Sequence, residues 1–300
     1  MAGVQANTAR LIALFISCVL YGILLTTFVP CIRSLLLSPT EKFQLKPNHK
    51  IKYPILVASV LMFLVSSFGV VLSLQDVIDG FINYDGPGGA LEFFTTVNGG
   101  WKHWIVIIED SVQAMLGDAL LIYRCYVLYD RSWRVIAIPV VNWLASCALA
   151  IVCSYREATM PEEDRLNSSA ILPFLSAVAL LTFTTSIVTT YLIIRRLLTI
   201  ERTKDLRGPL EPHLLSRVAT IFFETGLIYT LSLVASLGVY LSDSELEFVA
   251  SLAMIHIIPI TCNLLLIRVE GIRHPKFTGS AGSVGTSDER KFNPNAENEV

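Results

Sequence analysis

Long apolar runs alternate along this chain with short polar segments. Residues 11–32 hold 22 positions without a charge, 53–75 hold 23, 135–155 hold 21, 166–194 hold 29 and 248–267 hold 20, while 218–242 is interrupted only by Glu224. A hydrocarbon layer about 30 Å thick is crossed by roughly 20 helical residues, so each run is long enough to span a bilayer. A further segment, 104–129, has the length but not the uniformity, because it carries Glu109, Asp110, Gln113, Asp118 and Arg124. A charge at the bilayer centre costs from about 3 to well over 10 kcal/mol. Such a helix stays in a membrane only if its polar groups face other helices, water or a ligand, and the other six runs then form a wall around it.

The pattern therefore predicts an all-α membrane protein with seven transmembrane helices, at 11–32, 53–75, 104–129, 135–155, 169–194, 216–242 and 247–268. They form one domain over 11–270, between an external tail at 1–10 and a Gly/Ser/Asn-rich tail at 271–300 read as disordered. The first run is much longer than the ~7–15-residue core of a signal peptide and is read as an uncleaved first span.

Composition agrees: 53% of the residues are hydrophobic and 16% are charged, against about 25% charged in soluble domains. The net charge of −2 matters less than where the charges fall. Loops one, three and five and the carboxyl tail, with Arg268 at the end of the last span counted to it, hold 17 Lys and Arg; the opposite side holds 4. By the positive-inside rule the amino terminus is outside and the carboxyl terminus cytosolic. The Asn167-Ser168-Ser169 sequon falls on the predicted outer side, which makes Asn167 a glycosylation candidate. The plasma membrane is the expected location, the lipid bilayer the first partner, and loops 33–52 and 195–214 the surfaces for a cytosolic signalling protein. No nucleic-acid partner, cofactor or metal is expected. The six cysteines have no metal-ligand spacing and read as small apolar packing residues.

At about 100° per residue, Asp110, Gln113, Gly117 and Arg124 share an arc of about 60° on the third span. Counted from the cytosolic ends, Asp118 lies ~16 Å deep, Glu224 ~12 Å and His256 ~18 Å, with Ser66 and Ser67 at ~20 Å. These residues are expected to form one layer near the midplane. It is either a hydrogen-bonded core that fixes helix register or a site for a ligand, ion or proton. The candidates are Asp110, Gln113, Asp118, Glu224 and His256. Arg124 and Glu224 differ in depth by only ~5 Å. They are the candidates for a cytosolic lock between the third and sixth spans, unless Arg124 snorkels to the lipid phosphates.

The run Asp118-Ala-Leu-Leu-Ile-Tyr-Arg-Cys-Tyr-Val-Leu-Tyr resembles the signature of a group of GPCR-like seven-transmembrane proteins of mushroom-forming (basidiomycete) fungi. Glu224-Thr-Gly-Leu-Ile-Tyr resembles it too, as does Pro259 followed by Leu-Leu-Ile-Arg-Val at 265–269; Asn263 departs from the usual pattern. The likeness covers roughly residues 10–270 and implies a receptor-like membrane protein of a group without an assigned activity. Better-understood families fit less well. Tyr123-Arg124-Cys125 lacks the acid of the rhodopsin-like Asp-Arg-Tyr, and the seventh span has no lysine to hold retinal. An enzyme is not expected: there is no H-x-x-x-H spacing, no Gly-x-Ser-x-Gly elbow and no nucleotide loop, and of the five histidines only His256 lies deep in a span. The expected function is a receptor sensing a ligand and signalling through its cytosolic loops. The alternative is a small-solute or proton-linked carrier built on Asp118, Glu224 and His256.

Overall fold

The computed structural model describes residues 6–37, 52–94, 101–159, 172–205, 214–241 and 246–273. The Asn167 sequon, most of the loop at 33–52, residues 206–213 and the tail beyond Arg273 lie outside them. The described elements are eight α-helices and one π-helical turn. The helices are α1 (Ala6–Leu36), α2 (Tyr53–Ile78), α3 (Gly89–Glu92), α4 (Trp101–Leu128), α5 (Trp133–Thr159), α6 (Leu172–Asp205), α7 (Leu214–Leu241) and α8 (Leu246–Arg273). Six of them, α1, α2 and α5 to α8, are long and apolar enough to cross a membrane. The seventh long helix, α4, spans 28 residues and carries the charges noted above.

Most helices outrun the apolar stretches that predict them. α1 begins at Ala6 and ends at Leu36, and α6 continues to Asp205. Hydropathy marks the hydrocarbon, whereas the hydrogen-bond ladder continues into polar surroundings and is favoured there by suitable charges, such as Arg33 in the last turn of α1. α2 starts cleanly because Pro54 occupies its first turn, where a missing N–H costs nothing. Its far end passes into the π-helical turn Asp79–Asn83 and then into α3, elements that no apolar run predicts. Gly89 enters α3 with φ +60°, a backbone state that favours glycine.

The long helices close into a ring in which each packs on its sequence neighbour and α8 returns against α1. Two helices are central: α4 touches α2, α5, α6 and α8, and α8 touches α1, α2, α4 and α7. More than half of the spanning part of α8 is buried, 56%, against a third or less in the other five apolar helices. The packing rule is that of a bundle in lipid. Small residues line the close helix contacts and many large apolar ones face outward, because lipid offers no penalty to an exposed leucine while small side chains let backbones approach. On α1 the inner face is Ala6, Ala9, Ala13 and Ser17, and Phe15 on the outer face is 71% exposed. Where α4 meets α8, a Cβ on Gly117 would sit 2.9 Å from Ile258 Cγ2. Apolar clusters around Met62, Leu120, Tyr229 and Ile258, and around Ile122, Ile136, Ile193 and Phe222, fill the remaining interior.

Candidate functional site

A cavity of about 130 Å³ lies between α4, α5, α6, α7 and α8. Its residues come from the early part of α4 (Asp110, Ser111), the late part of α5 (Ala150, Cys153), the early part of α6 (Thr182), the late part of α7 (Ser236, Leu237) and the early part of α8 (Ser251, Met254). Successive helices run in opposite directions, so all of these sit toward one end of the bundle, the end where α1 begins. Asp110 is its one ionisable carboxyl, and the rest of the wall is apolar or hydroxylated.

Beside this cavity a hydrogen-bonded network joins four helices. Ser17 of α1 pairs with His256 Nε2 of α8 at 2.7 Å, and Tyr21 of α1 with Ser67 of α2 at 2.9 Å. Ser66 donates to the Ile255 carbonyl at 3.0 Å. Gln113 Nε2 on α4 donates to the Met62 carbonyl and to Ser66 Oγ, each at 3.3 Å. His256, Gln113, Ser66 and Ser17 are fully buried, so these bonds replace contacts that water would otherwise supply. Ser66 thus reaches the backbone of α8 one residue before His256, while Ser67 bonds Tyr21 and His256 bonds Ser17. Asp110 and Gln113, about 60° apart on α4, serve different neighbours, the cavity for one and α2 for the other.

Asp118 stands apart from that network. It is 1% exposed, its Oδ1 has no protein partner, and its surroundings include Tyr229, Cys262 and Cys147. Tyr229 and Cys262 line a second, much smaller cavity of about 30 Å³, shared with Ser186 and Gly117. That is room for little more than a single water. Tyr229 and Ser186 likewise have hydroxyls without a protein partner. The deep part of the bundle thus holds unsatisfied polar atoms gathered around a space too small for an organic ligand.

Glu224 does not join the layer. It is half-exposed on α7 and pairs at 2.8 Å with Arg268 of α8, also half-exposed. The expected pair of Arg124 with Glu224 is not formed. The reason is helix order: α7 packs on α6 and α8, while α4 faces α2, α5, α6 and α8, so depth along the axes agrees but the faces do not. Arg124 instead turns inward, with Nη2 buried and unpartnered, within electrostatic reach of the Cys31 and Cys262 thiols. Snorkelling to the lipid phosphates does not describe it either.

Three features are not marked by the hydropathy pattern. Arg10 and Asp76, assigned there to a tail and a loop, form a buried ion pair at 3.3 Å that ties α1 to α2. The Arg10 guanidinium lies 3.5 Å from the centre of the Phe248 ring and 5.6 Å from that of Phe94, so the same cation also gathers α8 and the segment after α3. The only hint was position: Arg10 is the single base before the first apolar run, and Asp76 follows directly on the second. Glu109 is buried with both carboxylate oxygens unpartnered; a Cβ on Gly69 of α2 would lie 2.9 Å from its Oε2. At the other end of the bundle, Arg196 of α6 donates to Asp130 at 2.8 Å and to the Leu128 carbonyl at 3.4 Å, and Tyr129 donates to the Leu192 carbonyl at 3.0 Å. The first two contacts pin the end of α4, Arg196 satisfying the Leu128 carbonyl just before Asp130 and Arg131, which hold positive φ. No family model, curated protein or solved structure matches this chain.

Proposed function

We propose that this chain is a receptor-like protein with seven spans, α4 included, its amino terminus outside and its carboxyl terminus in the cytosol, placed in the plasma membrane and akin to the GPCR-like proteins of mushroom-forming fungi. The observation that carries the reading is the 130 Å³ cavity. With this orientation it lies in the outer half of the bundle, where an external ligand reaches it, and the basic loops that would meet a signalling partner lie at the opposite end. The two ends are linked by α4 and α8, the helices with the most neighbours, which is where a ligand-driven shift would be transmitted.

Ligand binding at one end changes affinity for a partner at the other only if the two ends have a common equilibrium. The experiment is to reconstitute the purified protein in nanodiscs and to measure capture of cytosolic proteins with and without candidate ligands. Ligand-dependent capture supports the receptor. Uphill or proton-driven flux of the same solute in proteoliposomes, without capture, would replace it with the carrier. The carrier has the weaker support, since Glu224, one of its three supposed groups, faces outward and is paired with Arg268.

A further inference from the structure

We infer that the cavity between α4 and α8 takes a small organic ammonium: a primary amine on an apolar body about the size of one six-membered ring. The inference rests on the ligand-binding reading above and adds the chemical class of the ligand. Three observations define that class. The first is charge. Asp110 opens into the cavity, no other carboxylate and no Lys, Arg or His lines it, and Asp110 has no hydrogen bond or ion pair among the described residues. A carboxylate in a low-dielectric wall, with no cation from its own chain, selects a ligand that brings one.

The second is the rest of the wall. Ser111, Thr182, Ser236 and Ser251 supply hydroxyls, which accept from an ammonium as readily as they donate, and the remaining surface is aliphatic apart from the Cys153 thiol and the Met254 thioether. Such a lining favours a compact apolar body with one polar head over a sugar or a polyanion. The third is size. A cavity of ~150 Å³ lined by apolar side chains accommodates benzene, and this one, at about 130 Å³, holds a body of similar dimensions.

The test uses three probes of equal shape and different charge: benzylamine, benzyl alcohol and benzoate. Each is titrated into the full chain in nanodiscs, with Kd read by calorimetry and by the shift in unfolding temperature. The expected order is benzylamine well ahead of benzyl alcohol, with benzoate weakest. A charge-assisted hydrogen bond separates the amine from the alcohol by about ten- to a hundredfold. Asp110→Asn, a near-isosteric change, brings benzylamine down to about the level of benzyl alcohol and affects benzyl alcohol far less than benzylamine. If Asp110→Asn fails to fold, the order of the three probes on the unaltered protein still decides. Equal binding of amine and alcohol would overturn the ammonium assignment while leaving a ligand cavity in place. Binding of none of the three would overturn both the assignment and the ligand-binding reading.

Discussion

The carboxylates and guanidinium groups of this bundle differ mainly in what they face. Arg10 and Asp76 face each other in a buried setting, with side chains only 11% and 6% exposed. Removing one partner from such a pair leaves the other charge buried alone and costs about 3 kcal/mol or more, whereas replacing both by apolar residues is often neutral. Arg10→Met is accordingly expected to lower the unfolding temperature in detergent markedly, and Arg10→Met with Asp76→Leu to recover most of it. An additive double change would show that the pair is not coupled. Glu224 and Arg268 behave otherwise, because both lie on the outer surface. A double-mutant cycle between Glu224→Gln and Arg268→Gln should give a coupling above about 0.5 kcal/mol, and the cycle between Glu224→Gln and Arg124→Gln none. Coupling of 124 with 224 would restore the lock that helix order argues against.

Helix against helix, the close approach of α4 and α8 depends on Gly117. A side chain there meets Ile258 at a distance real Cβ atoms do not tolerate, so Gly117→Val should cost about 1–3 kcal/mol by forcing the two central helices apart. Trimming the partner in the same chain, Ile258→Ala, should return part of that loss. The check is thermal unfolding of the single and double variants; a harmless Gly117→Val would mean that α8 moves freely against α4. Between α5 and α6, buried hydroxyls are accommodated by hydrogen bonds. Thr185 and Thr189 on α6 donate to the carbonyls of Leu181 and Thr185 within their own helix, while Asn142 of α5 donates both to the Leu181 carbonyl and to the Thr185 hydroxyl. Helices in lipid associate through such packing and hydrogen bonds, since burying leucine there brings no gain.

For the molecule as a whole, the distribution of charge sets the expected topology. With 17 Lys and Arg on one side and 4 on the other, a tag after Val300 should be cut by protease added to the cytosolic face of sealed vesicles, and a tag before Met1 should be protected. A protected carboxyl tag would invert the bundle and place the 130 Å³ cavity on the cytosolic side.

The spans were legible because hydropathy is a local property: a run such as 11–32 announces a membrane helix whatever surrounds it. The polar character of 104–129 was equally plain, and so was its need for company, which α4 meets by touching four other helices. Depth could also be reckoned along each axis at a fixed rise per residue. Rotation could not. Asp118 and Glu224 have similar depths, yet one is 1% exposed and the other lies half-exposed on the outer surface, because the inward face of a helix is set by which helices stand beside it. For the same reason Arg124 and Glu224 do not meet, while Arg10 and Asp76, 66 residues apart, do. Side-chain chemistry and span length are carried by neighbouring residues in the chain. The identity of the helix opposite, and with it the partner of every buried charge, comes from contacts between residues far apart in sequence, and these exist only once the bundle has closed.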